Sequence, residues 1–365
     1  MPTSPNIRLS VGGVVNDTWT GWSVDSDLLT PADGFELELF TRNGITLPAT
    51  VVEGAPCTLD LDGDAVLTGA LDEVEQQVGR RGHAVRITGR DKAGTLVDCS
   101  SPFVSMREAT LQQIIDQVVK PMGISKVRLD SDIAKLRKQV QVSPGQTAWE
   151  ALLLTAEANG LWPWVDPDGT LVVGGPDYTA ATVGDLVLRH GDSDDNNIED
   201  MSVRRSIADR YSQITVLGQH GAYQGSGWDE DRTTLTAKVS DSALTARGIF
   251  RPRVVIDSGC DTSDLATDRA NKLLSDSQLD AFEARIRVKG WRASGGAVWT
   301  PGQRANLISE PHGINGTYFL MARTLRLTRR EGAITELRFR EDKTWVVNAH
   351  QKKQKKQKTT EFFGL

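Results

Sequence analysis

No stretch of about 18 consecutive apolar residues occurs in the chain, so no segment reads as a membrane-spanning helix. The first residues, MPTSPNIRLSVGG, hold one arginine and no apolar core, and no Sec signal peptide is expected. Cysteine is scarce. Cys57, Cys99 and Cys260 lie far apart and no Cys-x-x-Cys occurs, which argues against a disulfide framework, a zinc ribbon or a thioredoxin-type site. HExxH, the GxSxG nucleophile elbow, the phosphate-binding loop and a GxGxxG after a strand are all missing. The nearest approach to the elbow, Gly225-Ser226-Gly227, lacks its spacing. Five histidines (His83, His190, His220, His312, His350) are too dispersed to announce a triad or a zinc site. Among 48 Asp and Glu, nothing selects the carboxylate pair that glycoside hydrolysis needs. The expectation is a non-enzymatic protein with no cofactor and no metal.

What is present suits a globular body. With 365 residues, 39% hydrophobic and 25% charged, the chain should fold into two or three domains. Its net charge of −6 is uneven. The last stretch, KKQKKQKTTEFFGL, contributes five lysines and one glutamate; removing these from 42 basic and 48 acidic residues leaves 37 and 47, a balance of −10. An acidic body is a poor binder of nucleic acid, whose recognition rests on neutralising phosphates. The tail carries the candidate partner-binding residues. Lys352, Lys353, Lys355, Lys356 and Lys358 form a like-charge block typical of interaction tails, and Phe362 and Phe363 resemble a docking peptide at its end.

Residues 1–100 read as strands forming a first small β-barrel. FELELF (35–40) alternates in the period of a half-buried strand, and hairpin turns fall at Asp62-Gly63 and between Gly79 and Gly82. Residues 101–190 read as an α+β unit. A capping box at Ser105 and Glu108 precedes an apolar helix face of Leu111, Ile114, Ile115 and Val118, stopped by Pro121 and Gly123. A second box, Thr147 with Glu150, opens another helix, and a Pro-Asp-Gly turn at 167–169 closes a hairpin flanked by Trp162 and Trp164. Those tryptophans read as packing residues before a sugar platform. Two acidic clusters, Asp60/Asp62/Asp64 and Asp192/Asp194/Asp195, read as turn and solvated loop rather than calcium sites.

Residues 191–350 return to strands as a second β-barrel with an inserted helix capped by Ser263, leaving 351–365 as the basic tail. The two β regions echo each other. GAPCTLDL, VLTGALDEVEQQV, a GRRG turn and HAVRITGRD match TPGQRANLI, YFLMARTLRLT, an RREG turn and AITELRFRED in order, length and turn chemistry. The echo points to a duplication, although antiparallel hairpins in general share much of it. The fold class is therefore mainly β, with an α+β insert between two similar barrels.

The runs TGALDEVEQQV and ITGRDKAGTLVDCS (68–100), then TLQQIIDQVVKPMGI, TAWEALLLTAEANGLWPWVDPDGTLVV, WTPGQRANLIS and YFLMARTLRLTRREGAITELRF resemble, in the same order, the baseplate hub proteins of Mu-like contractile phage tails. That resemblance spans residues 5–347. It implies a homotrimeric ring joining the central spike to the tail tube or its adaptor, with possible contact to baseplate wedges. It also implies a lumen through which DNA passes without specific binding, synthesis in the bacterial host cytoplasm and residence in the virion baseplate. A tail-associated cell-wall hydrolase, or the hub of a tailocin or type VI-like machine, stands as the alternative. The family brings no catalytic residues to carry over.

Overall fold

The computed structural model describes residues 6–42, 44–101, 109–130, 142–191, 193–218, 235–257, 260 and 263–345. Strands β1 (Arg8–Val11), β2 (Val14–Asn16), β3 (Gly21–Asp27), β4 (Gly34–Thr41), β5 (Pro56–Leu61), β6 (Asp64–Gly79) and β7 (Gly82–Asp91) follow one another. The β5–β6 turn needs two left-handed residues, and Asp62 and Gly63 supply them at φ 56° and 92°. FELELF lies in β4 with Phe35 and Leu37 buried, as its alternation requires.

Strand character ends at Asp91, not at residue 100. Ala93–Asp98 form a helix, α1, because the Asp91 carboxylate accepts the Ala93 N–H at 2.8 Å and starts a helical turn. The next helix, α2 (Leu111–Ile114), is capped by Thr110 boxed with Gln113. Ser105 and Glu108, the expected box, lie outside the described residues. The helix runs on through a π turn (Ile115–Val119) and a 3-10 turn (Lys120–Met122) and stops at Gly123, φ 90°. β8 (Val127–Leu129), α3 (Ala148–Ala158), β9 (Trp162–Val165) and β10 (Leu171–Gly174) complete this unit. Thr147 and Glu150 cap α3 as the sequence indicates. Leu111, Ile114, Ile115 and Val118 fill a core of its own with Leu152 and Leu171.

Strands β11 (Thr182–Leu188) and β12 (Asp200–Arg205) precede a third unit made of β13 (Gln213–Gly218), β14 (Leu235–Ser240), α4 (Ser242–Ala246), β15 (Pro252–Ile256) and α5 (Ser263–Leu279). Its sheet, β14-β13-β15, packs Ile214, Val216 and Ala237 against Ala266 and Ala270 of α5. Ser263 is the first helical residue of α5 rather than its cap. The chain ends in β16 (Phe282–Lys289), β17 (Arg304–Ser309), β18 (Ile314–Thr328) and β19 (Gly332–Glu341).

The two expected barrels are not separate. Their strands join in one 13-stranded sheet, ordered β12-β16-β19-β18-β3-β4-β7-β6-β5-β1-β2, with β17 leaving β18 to pair with β11. No ring of strand pairs closes among the described residues. A single apolar core runs through both halves, from Ile7, Leu37 and Ile87 to Ile286, Leu325 and Phe339. β18 pairs antiparallel with β3, so the C-terminal half completes the N-terminal one. Each half is an open sheet that finds a partner in the other, a cheaper burial of apolar area than two small closed cores.

Candidate assembly surface

The sequence echo is a structural repeat. β5-β6-β7 and β17-β18-β19 are both antiparallel meanders whose long middle strand carries a bulge, between Leu71 and Glu73 in one and between Leu320 and Ala322 in the other. Hydrogen bonds repeat atom for atom. Gly54 N–H donates to Leu71 O (2.8 Å) and Leu71 N–H to Ala55 O (3.0 Å); Gly302 N–H donates to Leu320 O and Leu320 N–H to Gln303 O (both 2.9 Å). β3 and β12 occupy equivalent places beside β4 and β16. Thr20 N–H donates to Glu38 O, and Glu199 N–H to Arg287 O, both at 2.8 Å.

Where the halves meet, β3 lies against β18 with Val24 opposite Leu325, Ser26 opposite Arg323 and Asp25 opposite Thr324. Val24 and Leu325 are fully buried, and the Trp22 and Trp291 rings sit 4.9 Å apart across the same junction. Arg323 is buried with them. Its guanidinium donates to Trp299 O and to Val66 O, the latter at 3.2 Å. Burial pushes its pKa down to about 10, opposed by the Asp33 charge, so it stays a cation at neutral pH. Facing it across a cavity of about 30 Å³ are Asp33, from the β3–β4 turn, and Asp91, at the end of β7. Burial raises both carboxyls well above their ordinary range, and for Asp91 the neighbouring Asp33 charge adds to it. Arg338 of β19 also reaches across to Asp27 of β3.

Within the repeat, two strand edges carry no such partner among the described residues. Beyond its bulge, β6 pairs with β7 on one side only, and β12 pairs only with β16. Residues 72–79 of β6 are exposed apart from the half-buried Val74, and Val78 is 68% exposed. The first edge carries Glu73 and Glu75, the second Arg204 and Arg205. Long exposed edges of this kind are templates for pairing with another chain. Sequence reading overlooked these four residues; the alternating EVEQQV and the doublet in SVRRS were the available signals.

The tail residues Lys352, Lys353, Lys355, Lys356, Lys358, Phe362 and Phe363 lie outside the described residues, as do His220, His350, Asp192 and Gly225–Gly227. Arginines take up the first acidic cluster: Asp60 accepts from Arg8 at 2.6 Å, and Asp64 from Arg292 at 2.6 Å. Asp195 lies 3.7 Å from Arg189. The described histidines stay apart, on β7 (His83), after β11 (His190) and in the β17–β18 turn (His312, bonded to Ser309 at 2.8 Å). Trp162 and Trp164 pack at the junction of the α+β unit with the large sheet. Trp162 donates its indole N–H to Leu28 O and meets the Trp345 ring edge-on at 6.2 Å. That is the packing role expected of them.

Four family models match successive parts of the chain. They are described as the Mu phage baseplate assembly protein GpP-like N-terminal region (residues 6–91) and the second domain of baseplate hub protein gp44-like proteins (93–175). The third domain of NMB1110-like tail proteins (210–274) and a tail-protein C-terminal domain (276–344) follow. Baseplate hub protein gp44 of Escherichia phage Mu is 25% identical over 343 residues, covering 92% of this chain and 87% of that protein. The crystal structure of the tail protein from Neisseria meningitidis superposes with a TM-score of 0.80 at 31% identity, covering 96% of this chain and 100% of that one. For the 43 kDa tail protein of prophage MuSo2 from Shewanella oneidensis the TM-score is 0.77 at 25% identity, over 93% and 99% of the two chains.

Proposed function

Because the chain belongs to the baseplate hub family of Mu-like phage tails, we propose that it forms a homotrimeric ring between the central spike and the tail tube. As a tail and baseplate component it serves a structural role, and no catalytic step is assigned to it. The observation that carries the ring is the repeat of hydrogen bonds between the two halves. Three chains, each with two equivalent meanders, would present six similar surfaces, which reconciles a threefold spike with a sixfold tube. The acidic body, −10 without its tail, favours a conduit that DNA crosses without adhering. Residues 351–365 act as a docking tail toward the spike or a wedge protein, with Phe362 and Phe363 as anchors.

Light scattering of the full chain across a concentration series tests the ring. A mass near three chains supports it, and imaging the particle with its spike would then locate the channel. A monomer at every concentration, with and without spike, overturns it.

A further inference from the structure

The repeat assigns a partner to each open edge. Within the chain, the part of β18 beyond its bulge pairs with β3. Its counterpart in the other half is the part of β6 beyond its own bulge, and the counterpart of β3 is β12. Both counterparts are open. We infer that β6 of one copy pairs antiparallel with β12 of the next, reproducing between chains the junction that β18 and β3 make within one. This rests on the ring reading above and adds the surface and register by which the ring closes.

The register follows from the equivalences. Aligned on their bulges, Glu73 matches Ala322 and Val78 matches Leu327; aligned on their partners in β4 and β16, Trp22 matches Met201 and Asp25 matches Arg204. The observed pairs Leu325–Val24, Thr324–Asp25, Arg326–Ser23 and Leu327–Trp22 become Gln76–Val203, Glu75–Arg204, Gln77–Ser202 and Val78–Met201. The inferred pairing covers the exposed Val78 with the side chain of Met201, which is already on the core face.

Charge supports the same register independently. Glu38 of β4 lies opposite Arg86 of β7, and Arg86 lies opposite Glu75 of β6. On the other edge, Arg204 of β12 lies opposite Glu283 of β16, which is salt-bridged to Arg340 of β19 at 3.1 Å. Joining Glu75 to Arg204 continues one row of strictly alternating sign across six strands. A slip of one residue would turn the side chains to the wrong faces, and a slip of two would set against Arg204 either the uncharged Gln77 or Glu73, whose neighbour in β7 is the uncharged Thr88, and so break the row. A head-to-tail contact of this kind builds a ring when its rotation closes, and not a symmetric pair.

The test uses the full chain with Cys99→Ser to remove the exposed thiol, adding Gln77→Cys and Ser202→Cys at positions that would stand opposite each other. Six strands separate β6 from β12 within one chain. Under mild oxidation the expected product is a covalent trimer on denaturing gels, with a dimer as intermediate. A second measurement is a charge swap. Glu75→Arg alone should raise the concentration at which the ring is half-formed by about tenfold, and Arg204→Glu added to it should restore assembly. A trimer by light scattering that neither cross-links nor responds to the swap overturns this pairing while leaving the ring intact. A disulfide confined to single chains also overturns it, since β6 would then close on its own β12. A wild-type chain that never trimerises removes both the pairing and the ring.

Discussion

Replacing Leu325 by alanine asks whether the two halves are one folding unit. Leu325 is fully buried on β18, directly opposite the fully buried Val24 of β3. Losing three methylene-sized groups costs about 2.4 kcal/mol of transfer free energy, and the cavity left in the close-packed core brings the total to about 3–4 kcal/mol. Position decides which segments feel it. Because one core serves β3–β7 and β16–β19, amides of both meanders should lose protection to the same extent in hydrogen exchange read by mass spectrometry. The α+β unit, with its own core, should lose less. The urea midpoint of the sheet should fall in a single step. If β17–β19 lost protection while β5–β7 kept theirs, the halves would be independent and the shared core would carry little of the stability.

Stability should fall as pH rises from about 4 to about 8, between the ordinary carboxylate range and the raised values. Asp33 and Asp91 have folded pKa values above their unfolded ones, so the folded state binds more protons. That advantage is complete below the ordinary carboxylate range and is lost as pH climbs through the raised values, at about 1.4 kcal/mol per pKa unit. Asp33→Asn should flatten this slope in urea melts at pH 6 and 8.5, and an unchanged slope would refute the assignment. Thr147→Ala, which removes one side of the α3 capping box, should lower stability by about 1 kcal/mol, visible as a lower thermal midpoint for the α+β unit; no change would mean the cap is replaced by solvent. Truncation after residue 350 should leave the ring mass, per chain, intact while particle assembly fails; normal particles from the truncated chain would remove the docking role of the tail.

Much of the architecture could be read from local patterns. Turn residues set the β5–β6 and β6–β7 hairpins, the Thr147 box marked α3, and the echo of GAPCTLDL with TPGQRANLI became two superposable hydrogen-bond networks. Alternation along a strand says which face is buried but not what covers it. The same pattern in FELELF and AFEARIRV suits a closed barrel or an open sheet completed by its duplicate, and the second proved to be the arrangement. α1 escaped notice because six residues are too few to show a helical period. Arg323 and Asp33 form an electrostatic pair across some 290 positions of sequence, beyond any local signal. The edge charges at Glu75 and Arg204 gain meaning only once the repeat is superposed.

The β3–β18 junction also sets a timetable. β3 leaves the ribosome some 300 residues before its partner residues 322–327 are made. At about 5–20 residues per second, the outer edge of β3 waits on the order of 15–60 s before it can be covered. Throughout that interval the nascent chain holds an open strand with a strong tendency to pair with whatever is near. Asp25 and Asp27 stand on that strand, and their charge discourages stray pairing until Arg338 arrives to neutralise Asp27. A chain cut short anywhere before β18 keeps this edge of β3 uncovered, so an incomplete copy differs from a complete one in the strand backbone it exposes.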